Sequence, residues 1–187
     1  MTSIQTVSTI LAFSVVLAHI LIVAGVLYFF FFRKKYPKIL ENLSKNSLLY
    51  SLIVSLVATC GSLYFSKVAG YTPCELCWYQ RILMYPEVIL LGIAMYKKDK
   101  SFYVYPLPIA VIGWFVSAYH TFGSLYQTFG SALFKLPETC GATGGSCLTF
   151  RALAFGYVSI PVMSLTAFTL LIILLLIGKR YNKQQIN

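Results

Sequence analysis

Five apolar runs, each closed off by a short polar or basic segment, set the rhythm of the chain. They lie near Ile10–Phe32, Leu48–Ser66, Cys77–Tyr96, Phe102–Phe122 and Tyr157–Gly178. Each approaches the roughly 20 apolar residues with which a helix crosses a bilayer. The runs are continuous rather than alternating, which excludes barrel strands. The pattern therefore predicts an all-α integral membrane protein built from five spanning helices. Residues 1–47 would form an N-terminal helix with a basic linker, and residues 48–187 a four-helix unit.

Composition sharpens this picture. Hydrophobic residues make up 58% of the chain and charged ones only 11%, well below the roughly one quarter of soluble domains. The formal charge of +10 would fit a nucleic-acid binder, but its placement argues against one. Arg33, Lys34, Lys35, Lys38 and Lys45 follow the first run, Lys97, Lys98 and Lys100 follow the third, and Lys179, Arg180 and Lys183 follow the fifth. Lys67, Lys135 and Arg151 are the few in the other connections. Short loops rich in Lys and Arg stay in the cytoplasm, so the expected N-terminus is outside and the C-terminus inside. The first run has no basic residue before it and "RKKYPK" after it, so it reads as a retained helix rather than a secretory signal.

That topology gathers four cysteines on the extracytoplasmic side, where disulfides persist. Cys74 and Cys77 precede the third run in "YTPCELCWYQR", and Cys140 and Cys147 lie in "CGATGGSC" before the fifth. Cys60, within the second run, reads as a small packing residue. Thr72, Pro73 and Glu75 form the pattern of an N-cap, a first helical proline and a capping-box acid. Cys77 lies one turn from Arg81 at i, i+4. A helix N-terminus and an adjacent guanidinium favour a thiolate, the species that attacks disulfides. The glycines between Cys140 and Cys147 suit a mobile disulfide that meets other proteins.

Electrons passed along two cysteine pairs need an acceptor. No nucleotide or haem motif is present, whereas Cys77 and Arg81 sit at an apolar edge where Trp78, Tyr79, Tyr85 and Trp114 could line a pocket for a lipid-soluble quinone, ubiquinone or menaquinone. Arg81 would stabilise the negative charge that builds on the quinone. The competing reading is a non-catalytic membrane scaffold whose cysteines form structural disulfides or hold zinc as four ligands. Arg81 beside the pair opposes a dication, and the six residues between Cys140 and Cys147 are long for a zinc knuckle.

"CELCWYQR", with "SAYHTF" in the fourth run and "FGYVSIPVMSLTAF" entering the fifth, resembles the disulfide bond formation protein B (DsbB) family, in its short-loop BdbC-type branch. The likeness extends from about Leu48 to Gly178. It implies a four-helix membrane enzyme that re-oxidises an extracytoplasmic thioredoxin-fold thiol oxidase and reduces membrane quinone. It assigns Cys140 to the mixed disulfide with the partner, Cys147 to a pairing with Cys74, and Cys77 to the quinone-facing thiolate. Arg81 and His120 match residues of the quinone site. The first run is an addition to the four-helix pattern, and His19 within it reads as a packed or interfacial residue. Vitamin K epoxide reductase relatives have the two cysteine pairs in the opposite order. Glu87, about 18 Å down the third helix and next to Pro86, is an intramembrane carboxyl expected to be protonated, or paired with a polar group where Pro86 releases a carbonyl, with a proton route to the reduced quinone as its candidate role.

Overall fold

The computed structural model describes residues 3–31, 38–99, 101–129 and 157–186. They form α1 (Ser3–Phe31), α2 (Lys38–Lys45), α3 (Ser47–Lys67), α4 (Glu75–Tyr96), α5 (Pro106–Phe129) and α6 (Ile160–Ile186). Helices α3 to α6 close a ring in which each packs on the next and α6 returns to α3. Helix α1 lies outside the ring against α6, and the short amphipathic α2 packs on α6 and α3. The expected all-α membrane fold, four helices plus one at the N-terminus, is what the chain adopts. Only α2 had no counterpart among the apolar runs, because its residues lie in the basic linker.

Segments of α1, α3 and α6 are apolar and long enough to cross a membrane by length and composition. Helices α4 and α5 have 22 and 24 residues. At 1.5 Å per residue each spans more than 30 Å, so length is not what separates them from the other three. They are less apolar because their inward faces carry Gln80, Glu87, Ser117, His120, Thr121 and Ser124, all buried. Their outward faces expose Ile82, Ile89, Ile93, Ile112, Phe115 and Phe122, the side chains a lipid environment would cover. Helix α5 starts at Pro106, four residues later than the apolar run, since proline fits a first helical turn where no amide partner is needed. Phe102, before it, plugs the core instead.

Small residues let the ring close tightly. Ser47, Ser51 and Ser55 form a buried stripe on α3. Ser117 and Ser164 hydroxyls meet at 3.0 Å between α5 and α6, and the Trp114 indole donates to Thr169 Oγ1 at 3.0 Å across the same interface. Phe168, fully buried on α6, lies against Gly113, where an added Cβ would come within 2.2 Å of its ring. Cys60 departs from expectation. It is exposed on the outer face of α3 with Leu56 and Leu63, not packed, because the inward face is taken by the serines. Glu87 is fully buried, and neither carboxylate oxygen has a hydrogen-bond partner among the described residues, so the expected polar partner is not found.

Basic residues collect at one end of the ring and the Cys74–Cys77 pair at the other. Ser47 and Phe102 both approach Gly178, which brings the start of α3, the α4–α5 connection and the end of the α6 apolar stretch together. Lys179 Nζ lies 5.8 Å from the Tyr103 ring centroid at that end. Gly113→Ala is expected to cost about 1–3 kcal/mol through overpacking against Phe168, with Phe168→Leu restoring part of the loss in the double variant. Thermal unfolding in detergent measures both.

Candidate functional site

Helix α3 ends in a tight reversal. Gly70 takes φ +71°, a conformation that favours glycine, and the Tyr71 amide bonds the Phe65 carbonyl at 2.9 Å. Tyr71 stacks on Phe65 with ring centroids 5.9 Å apart. The chain then runs extended into α4. Its N-cap is Cys74, not Thr72: the Cys74 sulfur accepts from the Cys77 amide at 3.4 Å. The capping box fails because the first helical turn begins at Glu75, with Pro73 outside it. Sulfur thus takes the place that a hydroxyl or carboxylate oxygen usually holds at a helix start.

Cys74 and Cys77 are free thiols with their sulfurs 3.2 Å apart. The side-chain hydrogen bond with Cys77 is the main influence on Cys74. Burial opposes it, while His120 and the Cys77 amide reinforce it, and the Cys74 thiol is pushed down to about 4. The thiol held down in this pair is Cys74, whereas the sequence pointed to Cys77 as the one beside the cation. The difference lies in the sulfur–sulfur contact and burial, which outweigh the nearby charge of Arg81. Its Nε donates to Ser62 Oγ at 2.9 Å and its Nη2 to the Ser62 carbonyl at 3.1 Å, and the guanidinium lies 5.4 Å from the Trp78 ring centroid. It is anchored to α3 rather than aimed at the Cys74 sulfur.

His120, almost fully buried on α5, stands 4.0 Å from Cys74 Sγ through Nε2. Its Nδ1 lies 3.0 Å from the Gln80 amide nitrogen. That nitrogen can only donate, so Nδ1 accepts and, in the neutral ring, the proton sits on Nε2 and faces the sulfur. Gln80 and Ser62 were not singled out in the sequence. Gln80 had a usable signal, since a polar side chain three residues after Cys77 shares its helix face. Ser62 had none.

Cys77, Gln80 and Arg81 also face a cavity of about 300 Å³ bounded by α1, α3, α4 and α6. Of the aromatic residues expected to line it, only Tyr85 does. Trp78 and Tyr79 point outward, and Trp114 is committed to the α5–α6 interface. The helix-end pair thus separates two environments: Cys77 touches the apolar cavity, and Cys74 touches the His120 side. The two sulfurs and a His120 ring nitrogen lie within 4.8 Å of one another, three ligands that could also clasp a soft metal ion. Cys140 and Cys147 lie outside the described residues.

A dithiol whose Cys74 stays ionised should react independently of pH over most of the neutral range. Alkylation of Cys74 by iodoacetamide is expected to hold steady from about pH 8 to about pH 5 and to fall on acidification through pH 4, as the anion takes up a proton. Cys77→Ala removes the strongest donor to that anion, so the midpoint should move upward. An ordinary thiol would lose reactivity about tenfold per unit below pH 8.5. Mass-spectrometric rates resolve the two profiles.

The family model "Disulfide bond formation protein DsbB" matches residues 44–178. Disulfide bond formation protein C of Bacillus subtilis is 41% identical over 138 residues, covering 72% of this chain and 96% of the relative. A probable disulfide formation protein of Oceanobacillus iheyensis is 42% identical over 139 residues, covering 73% and 91%. Probable disulfide formation protein C of Bacillus cereus is 42% identical over 128 residues, covering 68% and 88%. No solved structure matches. Helix α1 falls outside the stretch matched by the family model.

Proposed function

The chain belongs to the disulfide bond formation protein DsbB family, and from that membership and the site's geometry we propose that it is a membrane thiol:quinone oxidoreductase. It re-oxidises an extracytoplasmic thioredoxin-fold thiol oxidase and delivers the electrons to ubiquinone or menaquinone. The observation that carries this reading is the division of labour at the head of α4. One sulfur, Cys74, stands on the His120 side, and the other, Cys77, lies on the wall of an apolar cavity beside Arg81.

The exchange proceeds in steps that conserve electrons. A partner thiolate attacks Cys140 of a Cys140–Cys147 disulfide and releases Cys147 as a thiolate. Cys147 attacks Cys74 of a Cys74–Cys77 disulfide and releases Cys77. The partner's second thiol displaces Cys140, so the partner leaves as a disulfide. Cys140 then attacks Cys147 and expels Cys74, which rejoins Cys77 as the electron pair passes on. A sulfur with a pKa near 4 is a good leaving group, and a stabilised thiolate makes its disulfide more oxidising. Both properties favour forward flow.

Quinone supplies a two-electron acceptor that also takes up two protons. The cavity suits it, being lined mainly by apolar side chains with a few polar groups such as Arg81 and Gln80, and its size falls at the lower limit of small-molecule pockets. Ser62 takes up two of the five Arg81 donors and fixes the guanidinium, so the remaining donors can meet a developing oxyanion without reorganising. The basic end of the ring faces the cytoplasm in this reading, which puts the N-terminus and the redox cysteines outside.

The second reading is a metal-holding scaffold, favoured by the clustering of Cys74, Cys77 and His120. One assay separates the two: purified protein, a reduced thioredoxin-fold partner and quinone, followed by quinone absorbance. Turnover is expected in the wild type. Cys77→Ser should abolish it, at least about 10³-fold. Cys140→Ser should block electron entry from the partner yet leave quinone reduction intact when electrons are supplied to Cys74–Cys77 by a small dithiol. Stoichiometric zinc without quinone turnover would favour the scaffold.

A further inference from the structure

The cavity beside Cys77 and Arg81 has walls from α3, α4 and α6, and α1 adds a further wall across its opening. Leu11, Ser14, Val15 and Ala18 all line the cavity from α1. The helix is fixed across the opening at two places. On α6 and the residues just before it, Ala12 and Val15 pack with Val158 and Val162, and His19 Nε2 meets Thr166 Oγ1 at 2.9 Å while its ring stacks on Tyr157 at 6.2 Å. On α3, the Leu11 side chain reaches the backbone at Gly61, 3.5 Å from where a Cβ would stand. A polar contact such as His19–Thr166 is a specific anchor in an apolar layer, where lipid offers no competing partner. The opposite face of α1, with Ile10, Phe13, Leu17, Ile20 and Leu21, is exposed.

We propose that α1 is the outer wall of the quinone site, with Leu11 and Val15 as specificity-determining residues that set which ring and first tail segment the cavity admits. This rests on the thiol:quinone reading above. An added helix that merely accompanied the ring would have no reason to place four side chains into the same cavity as Cys77. Because the wall is a separate helix, seated by the His19 contacts and by small apolar side chains, the cavity's width is set by residues that take no part in electron transfer.

The test uses the full chain in native membranes. Leu11→Trp fills the cavity from the α1 side, and Leu17→Trp places the same bulk on the exposed face. Two readouts are taken: the KM for a short-tailed quinone, and the alkylation rate of Cys77 by a membrane-soluble phenylmaleimide in a Cys74→Ser background. Leu11→Trp is expected to raise KM about tenfold with kcat within about twofold, and to slow Cys77 alkylation, while Leu17→Trp changes neither. An unchanged KM in an active Leu11→Trp protein overturns the proposal. So does unchanged alkylation. A wild type that reduces no quinone, with alkylation still slowed by Leu11→Trp, would defeat the quinone reading while leaving α1 as the wall of the cavity.

Discussion

The contacts between Cys77 and Cys74 organise the dithiol at the head of α4. The Cys77 amide caps the helix through the Cys74 sulfur, and the two sulfurs meet at 3.2 Å, which draws the Cys74 thiol down. The same contacts thus set where the helix begins and which of the two thiols is drawn down. A thiolate at a helix start is favoured by the unpaired amides and by the dipole, so neither helix nor anion is formed at the other's expense. His120 and Gln80 support it from the opposite side and keep a ring proton directed at the sulfur.

The ring of four helices makes this arrangement durable. Close approach at Gly113 and Gly178, hydroxyl pairs between α5 and α6, and the serine stripe of α3 replace the hydrophobic driving force that is absent between helices in lipid. Arg81 belongs to the same logic. A guanidinium at the head of a spanning helix is costly unless its donors are met, and Ser62 meets two of them from the neighbouring helix. Its position is therefore a property of the α3–α4 interface.

Much of this was legible in the residues. Apolar run length located the long helices, and the spacing of "CELCWYQR" marked the redox head of α4. What escaped had physical causes. Thr72 looked like the cap because hydroxyls usually cap, yet a sulfur two residues later did so. Arg81 looked like the neighbour that decides which thiol ionises, because helical spacing shows its proximity but not the strength of the sulfur–sulfur contact and burial that outweigh it. The cavity wall was invisible for the same reason: which helix covers an opening is a tertiary fact, and α1 carries no motif. Cys60 was read as packed from its apolar flanks, but in lipid apolar flanks do not distinguish inside from outside.

The reversal between α3 and α4 has one more consequence. Gly70 and the Phe65–Tyr71 stack hold the connection down, and only residues 68–74 separate the two helices. So short a tether, at about 3.4 Å per residue even when straight, keeps Cys74 docked at the rim of the bundle. Under the proposed function it would be a fixed electrode, and whatever exchanges electrons with it would travel the whole distance.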